Sequence, residues 1–402
     1  TYYVATNGSD DNDGSEENPF ATIQQGVDAS SDGDTILVQA GTYEEFQFNG
    51  KGITISSING PENTIIDADG NEPCVSIEST PPTQASLNGF TLTNGWSNNA
   101  GGGLYIYRQS AILSDLIITN NSTNGEGAGI YINESNVEIN NTEISYNTAS
   151  NVGGGIYIND SDFIIENVTI TNNSTGADGY GGGIYGNNAT IILNNIDFDN
   201  NISGHGGGIY ANNSSVTIDN ANFTNNSSDF GGGILADHFE TNISISNSNF
   251  SNNQAENGGG IFVQGNAFIS VETSLFNNNS SLVAGGIYLN NSQSTLINNC
   301  TFIGHTNTGD DDTDAAAIHV GSNDLTISNS IFWDNYPNAL KVGNSGTIII
   351  NYSNHQGGES GVSIVNNGSL NWGDGNINAT PLFVDPDNGD YTLQSSSPCI
   401  DA

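Results

Sequence analysis

One phrase returns at a nearly fixed interval through the middle of this 402-residue chain, and no other feature limits its fold so strongly. It is a glycine run followed by an aliphatic residue, as in Gly231-Gly232-Gly233-Ile234. With the aliphatic residue as register mark, the phrase falls at Leu104, Ile130, Ile156, Ile184, Ile209, Ile234, Ile261, Ile287, Ile318 and, without its glycines, Leu340. The intervals are 26, 26, 28, 25, 25, 27, 26, 31 and 22 residues, about 26 on average. A period of that size marks stacked units of a solenoid.

Inside each repeat the apolar residues alternate with period two, which specifies strands. Three strands fit one turn. In the first, Ile156 and Ile158 share one face and Tyr157 points the other way. The second carries Val137 and Ile139, Phe163 and Ile165, Val216 and Ile218, Ile243 and Ile245, Leu325 and Ile327. The third carries one large residue per turn, namely Ile118, Ile144, Ile170, Phe198, Phe223, Phe250, Phe276, Phe302 and Phe332, which reads as an internal stack. Two asparagine columns keep the same register. One is Asn141, Asn167, Asn195, Asn220, Asn247, Asn299 and Asn329; the other is Asn121, Asn147, Asn173, Asn201, Asn226, Asn253, Asn279 and Asn335. Asparagine tolerates the left-handed backbone of a sharp corner, and its amide bonds its counterparts on neighbouring turns. Such turns stacked in parallel make an all-β parallel β-helix, three strands to the turn.

The whole chain, 1–402, is expected to form a single elongated domain. Residues 1–35 form an N-terminal cap, 36–100 irregular early turns, 101–335 the regular repeats and 336–402 the last turns with a C-terminal cap. Asn18-Pro19 followed by Phe20, Ile23 and Val27 predicts one short capping helix with Asn18 as N-cap and Pro19 in its first turn. Asp10 to Gly14 has the start of a calcium-loop pattern, but Phe20 stands where the bidentate Glu belongs, so a solvated acidic turn is expected.

Charge narrows the partners. With 3 Lys+Arg against 44 Asp+Glu, a formal charge of −41, the chain repels nucleic acid and anionic membrane. No apolar run is long enough for direct membrane insertion. The absence of methionine and the start at Thr1 suggest a product secreted or displayed extracellularly after removal of an N-terminal signal. Three cysteines, Cys74, Cys300 and Cys399, are neither a zinc site nor a disulfide framework. Cys300 has inward parity and is expected as a buried thiol, with a bond to Cys399 as the alternative. Asp310, Asp311, Asp312 and Asp314 lie in the longest loop; they are the candidate ligands for Ca²⁺, against which stands an acidic insertion with no ligand. No other cofactor is expected.

The outward position after the register mark holds Tyr105, Tyr131, Tyr157, Tyr185, Tyr210, Leu235, Phe262, Tyr288, His319 and Lys341. One ring per turn, about 4.8 Å apart, makes an aromatic stripe. Either the rings only stiffen the sheet, or Tyr105, Tyr131, Tyr157, Tyr185, Tyr210, Phe262 and Tyr288 form a contact line for a glycan or cell surface, or for copies of the protein or other subunits of an assembly.

Gly206-Gly207-Gly208-Ile209-Tyr210 paired with Phe223-Thr224-Asn225-Asn226 resembles the repeat of polymorphic outer-membrane-type proteins, which are surface-displayed β-helical adhesins. Asp34-Thr35-Ile36-Leu37-Val38 with Gly41-Thr42-Tyr43 resembles the entry of pectate-lyase-like right-handed β-helices. The ending Phe383-Val384-Asp385-Pro386 through Ser397-Pro398-Cys399-Ile400-Asp401 is similar to the close of the β-helix in exported bacterial proteins with interchangeable C-terminal anchors. The resemblance implies a right-handed coil and a non-catalytic structural or adhesive role, with a carbohydrate-active enzyme, a polysaccharide lyase or glycoside hydrolase, as the alternative. For β-elimination the basic candidates are Lys51, Arg108 and Lys341, and Arg108 and Lys341 lie too many turns apart to share a site. For hydrolysis the candidates are Asp197 and Asp199, on one outward face, with His205 in a Gly-His-Gly tripeptide like that of polygalacturonase-like hydrolases. The other motifs of that family are absent.

Overall fold

The computed structural model describes residues 1–79, 83–309 and 315–400. The chain is an all-β right-handed parallel β-helix with one N-terminal α-helix, and it divides into two compact units, residues 1–204 with 208–210, and residues 205–207 with 211–402.

In the first unit, Tyr2–Val4 pairs in parallel with Thr35–Val38, which pairs with Thr54–Ser57. The helix is Ile23–Ala29, with Ile23, Gly26 and Val27 buried. It starts four residues later than the sequence suggests, because Thr22, and not Asn18, caps it by accepting a hydrogen bond from the Gln25 N–H. Asp10 explains the shift: its carboxylate accepts from the backbone N–H groups of Ala21 and Thr22 at 2.9 and 3.0 Å and from the Thr22 hydroxyl at 2.9 Å. The acidic turn is thus a bracket for the cap.

From Leu104 to Asn187 the register is strict. Ile130 aligns with Ile156 and Ile184, Tyr131 with Tyr157 and Tyr185. The second and third strands join into bent ten-residue strands, Asn136–Ser145, Asp162–Thr171 and Thr190–Asp199. The bend sits at Asn141, Asn167 and Asn195, whose φ angles are 49°, 55° and 56°. A fourth, two-residue strand per turn, at Trp96–Ser97, Ser122–Thr123, Thr148–Ala149 and Ser174–Thr175, was too short to leave an alternation pattern. The glycine run turns the chain between this strand and the tyrosine strand. Gly153 has a φ of 65°, and a side chain on Gly155 would meet the Gly183 carbonyl oxygen at 2.6 Å.

The second unit repeats the pattern. Phe223, Phe250, Phe276, Phe302 and Phe332 are fully buried and stack with centroids 4.5 to 4.9 Å apart. Beside them runs the buried asparagine ladder. Asn253 Nδ2 donates to Asn279 Oδ1 at 2.9 Å and to the Phe223 carbonyl at 2.8 Å, while its Oδ1 accepts from the backbone and side-chain nitrogens of Asn226, both at 3.0 Å. The left-handed corner residue is the one before each ladder asparagine, such as Asn225 and Asn252. His305 fills the place between Asn279 and Asn335, its Nδ1 accepting from the Asn279 N–H at 3.1 Å. Cys300 is buried in the column of Ser248, Ser274 and Ser330, with Sγ donating to the Asn298 carbonyl at 3.2 Å, and Cys74, Cys300 and Cys399 are all free thiols. The unit closes with Phe383–Asp385 antiparallel to Asp390–Leu393. No helix among the described residues is long and apolar enough to cross a membrane.

Candidate functional site

Alternation on Leu104–Tyr107, Ile130–Asn133, Ile156–Asn159 and Ile184–Asn187 buries the aliphatic residues and leaves Tyr105, Tyr131, Tyr157 and Tyr185 half-buried on the outer face. Their rings are parallel within 2 to 4°, with centroids 5.1 Å (Tyr105–Tyr131), 5.1 Å (Tyr131–Tyr157) and 5.3 Å (Tyr157–Tyr185) apart. That exceeds the strand spacing of about 4.8 Å, so the rings are offset, the arrangement their quadrupoles favour. Tyr210 continues the stack 5.3 Å beyond Tyr185 but is buried, with Tyr180 packed edge-on against it. Two residues along the same strands runs a second outward column, in which Asn159 Nδ2 donates to Asn133 Oδ1 at 2.9 Å and Asn187 Nδ2 to Asn159 Oδ1 at 2.6 Å.

At the Tyr105 end this face opens into a groove of about 920 Å³ lined by Glu45, Glu72, Glu78 and Glu126, by Asn98, Asn99, Asn124 and Asn151, and by Tyr105 and Tyr131. None of its lining residues is Lys, Arg or His. Burial raises the Glu126 carboxyl above the ordinary range, so it keeps its proton more readily than a solvated Glu. Burial, reinforced by the Glu126 charge, pushes the Tyr131 hydroxyl up to about 12, and burial with the Glu78 charge raises Tyr105. These phenols are therefore neutral donors. Sequence reading passed over Glu126 and Glu78. The signal for Glu126 was a charge in a column otherwise occupied by Ala100, Val152 and Tyr180.

The expectation of a continuous outward stripe needs correction in the second unit. Phe262 is 2 % exposed and Leu235 1 %. Their outward parity is right, but Phe230 leans over Phe262 with ring centroids 5.7 Å apart, so this part of the column is covered. Tyr288 is half-buried and tilted 30° against Phe262.

Asp197 and Asp199 face outward on Thr190–Asp199 in the first unit, whereas His205 belongs to the second, where it stacks on Phe230 at 5.1 Å. Asp310, Asp311, Asp312 and Asp314 lie outside the described residues. Among those described, no cluster of three or more His, Cys, Asp or Glu is placed to hold a metal. The three basic side chains serve the fold. Lys51 donates to the carbonyls of Val27, Asp28 and Ser30 at the helix C-terminus, Arg108 forms an ion pair with Glu134 at 2.7 Å, and Lys341 is buried.

A family model described as right handed beta helix region matches residues 75–250 and 128–302, together more than half of the chain, and a domain of unknown function (DUF5123) matches residues 295–401. Among solved structures, XylC in complex with xylose is similar over 95 % of this chain and 87 % of its own, at 12 % identity and a TM-score of 0.52. A PL6 alginate lyase in complex with trisaccharide aligns over 96 % and 87 % at 11 % identity and a TM-score of 0.43. Pectate lyase Pel9A aligns over 98 % and 87 % at 16 % identity and a TM-score of 0.37. At these identities the likeness is one of fold. No curated protein matches the chain.

Proposed function

The chain belongs to the right-handed β-helix family, and from that premise we propose that it engages a neutral glycan outside the cell, in the groove floored by Tyr105 and Tyr131. The family has catalytic and non-catalytic members, so the site must carry the argument. The carrying observation is an open groove in which aromatic rings, side-chain amides and carboxylates converge and no cation lines the wall. Amides and carboxylates accept from sugar hydroxyls, and tyrosine offers both a ring edge and a hydroxyl. A uronate chain would meet repulsion there from four glutamates. The fold neighbour XylC holds xylose, which names a first neutral sugar to test and argues nothing by itself.

Glycan-array binding of the full chain tests the proposal, alongside Tyr105→Ala and Tyr131→Ala. Binding to neutral glycans that falls at least about tenfold in both variants, a loss of about 1.4 kcal/mol, supports it; unchanged binding rejects it. A stripe that instead buries itself against a second copy would show as a dimer in sedimentation that Tyr131→Ala dissolves.

A second reading rests on Glu126. A half-buried carboxyl whose burial makes it hold its proton more readily than a solvated Glu, in one groove with the carboxylates of Glu45, Glu72 and Glu78, offers a candidate acid and candidate second carboxylates for glycoside hydrolysis. Glu126 would protonate the leaving oxygen, and one of the other carboxylates would attack or activate water. Release of reducing ends from xylan or glucan by the wild type, lost in Glu126→Gln with binding retained, would establish hydrolysis; binding without release leaves the adhesive role.

The family's members are typically secreted, and the repeat's likeness to outer-membrane-type adhesins supports the same location for this chain. Its acidic surface keeps the folded chain soluble in a salty medium.

A further inference from the structure

The tyrosine face has a period, and a period selects a ligand. Tyr105, Tyr131, Tyr157 and Tyr185 lie in one row, 5.1, 5.1 and 5.3 Å apart, with ring planes within 4° of one another. Stacking occupies the ring faces of the inner tyrosines, so the row offers a sugar ring edges and hydroxyls rather than flat platforms. Zero register shift between the strands keeps that row straight. The spacing is close to the length that one diequatorially 1,4-linked pyranose adds to an extended glycan.

We infer that the face binds a linear, extended, neutral glycan lying along the stacking direction, with successive sugars in register with successive tyrosines from Tyr105 to Tyr185. The inference rests on the glycan-binding reading of the groove and adds linkage geometry, direction and length to it. Direction follows from the match of periods. A chain laid across the strands would meet a different residue type at every sugar, whereas one laid along the stack meets the same Tyr hydroxyl and, two residues along the strand, the same ladder of Asn133, Asn159 and Asn187. Length follows from the ends. Tyr105 opens into the groove, while past Tyr185 the next ring, Tyr210, is buried and Tyr180 stands edge-on against both, at 6.4 and 4.9 Å. Four tyrosines are therefore accessible. A helical α-1,4-linked glycan curves away from a straight row and engages only one or two of them.

Titration calorimetry on the full chain tests this with two series of equal length, xylo- or cello-oligosaccharides against malto-oligosaccharides, from two to six sugars. The expected result is an affinity gain of about three- to tenfold per added sugar, the worth of one or two hydrogen bonds, up to four sugars in the extended series and a plateau beyond. The malto series should stop gaining after two. In Tyr157→Phe, which keeps the ring and removes the hydroxyl, the gain from the third sugar should disappear while disaccharide affinity stays. Equal gains in both series, or an extended series that already saturates at the disaccharide, would overturn the register while leaving glycan binding in place. No binding by either series removes both.

Discussion

Two aromatic columns run through this protein with the same periodicity and opposite surroundings. Phe223 to Phe332 in the second unit stack 4.5 to 4.9 Å apart with no exposure, whereas Tyr105 to Tyr185 in the first stack 5.1 to 5.3 Å apart and remain half-exposed. The inner column is compressed because side chains converge on it from every wall of the coil. The outer one has ring neighbours above and below and, at its two ends, one ring to the side, Tyr107 by Tyr105 and Tyr180 by Tyr185. Stacking geometry is a product of strand pairing in both cases, but energy is not. The inner rings hold the fold together and the outer ones are available for a ligand.

The sharpest way to break this contrast is Phe250→Ala. It should destabilise the protein by about 3–5 kcal/mol, the range for deleting a buried aromatic ring, read as a shift in denaturant midpoint. A loss below about 1 kcal/mol would mean that the inner column is no more structural than the outer one.

Next in size is Asn253→Ala, in the ladder that walls the phenylalanines. It removes four side-chain hydrogen bonds, those to Asn279 Oδ1 and the Phe223 carbonyl and the two from the Asn226 nitrogens. At about 0.5–1.5 kcal/mol per hydrogen bond, the expected loss is at least about 2 kcal/mol. Exposed Asn188→Ala, at a corner rather than in the ladder, should change stability far less.

The third test uses pH. His305 continues the ladder beside Phe302, and His355 continues the phenylalanine column beyond Phe332. Burial lowers both imidazoles to about 4. Their folded pKa lies below the unfolded value of about 6.5, so between those values the unfolded chain binds more protons. Stability should therefore fall as pH drops from about 6.5 to about 4, by up to about 1.4 kcal/mol per pH unit per histidine. His305→Asn, which restores the ladder residue, should flatten its share of that slope. A slope identical to the wild type would show that His305 is not held neutral.

The smallest effect belongs to the outer column. Tyr157→Ala removes two stacked pairs, each worth about 0.5–1.5 kcal/mol beyond burial. It should therefore cost at least about 1 kcal/mol but well below the loss in Phe250→Ala, measured by chemical denaturation, with a far larger relative effect on glycan binding. A loss as great as that of Phe250→Ala would erase the contrast.

Much of this was legible in the repeat. The glycine register, the inward phenylalanines, the left-handed corners at Asn141 to Asn195 and the outward parity of the tyrosines follow from a period of about 26 residues and an alternation of two. The groove was not, because Glu45, Glu72, Glu78 and Glu126 come from separate turns and from segments whose spacing varies. The cap was misread because Asp10 reaches Thr22 across residues that carry no periodic signal.

The sequence by itself determined the coil and which face each side chain takes, since a strand that must bury one face has no freedom in parity. It did not determine exposure. Leu235 and Phe262 have the parity of Tyr131 and Tyr157, yet they are covered while Tyr131 lines an open groove and Tyr157 stays half-buried. That difference comes from loops and neighbouring rings such as Phe230, whose placement depends on how each turn packs against the next. Local periodicity cannot encode it, because the contacts that cover or uncover a residue belong to other turns.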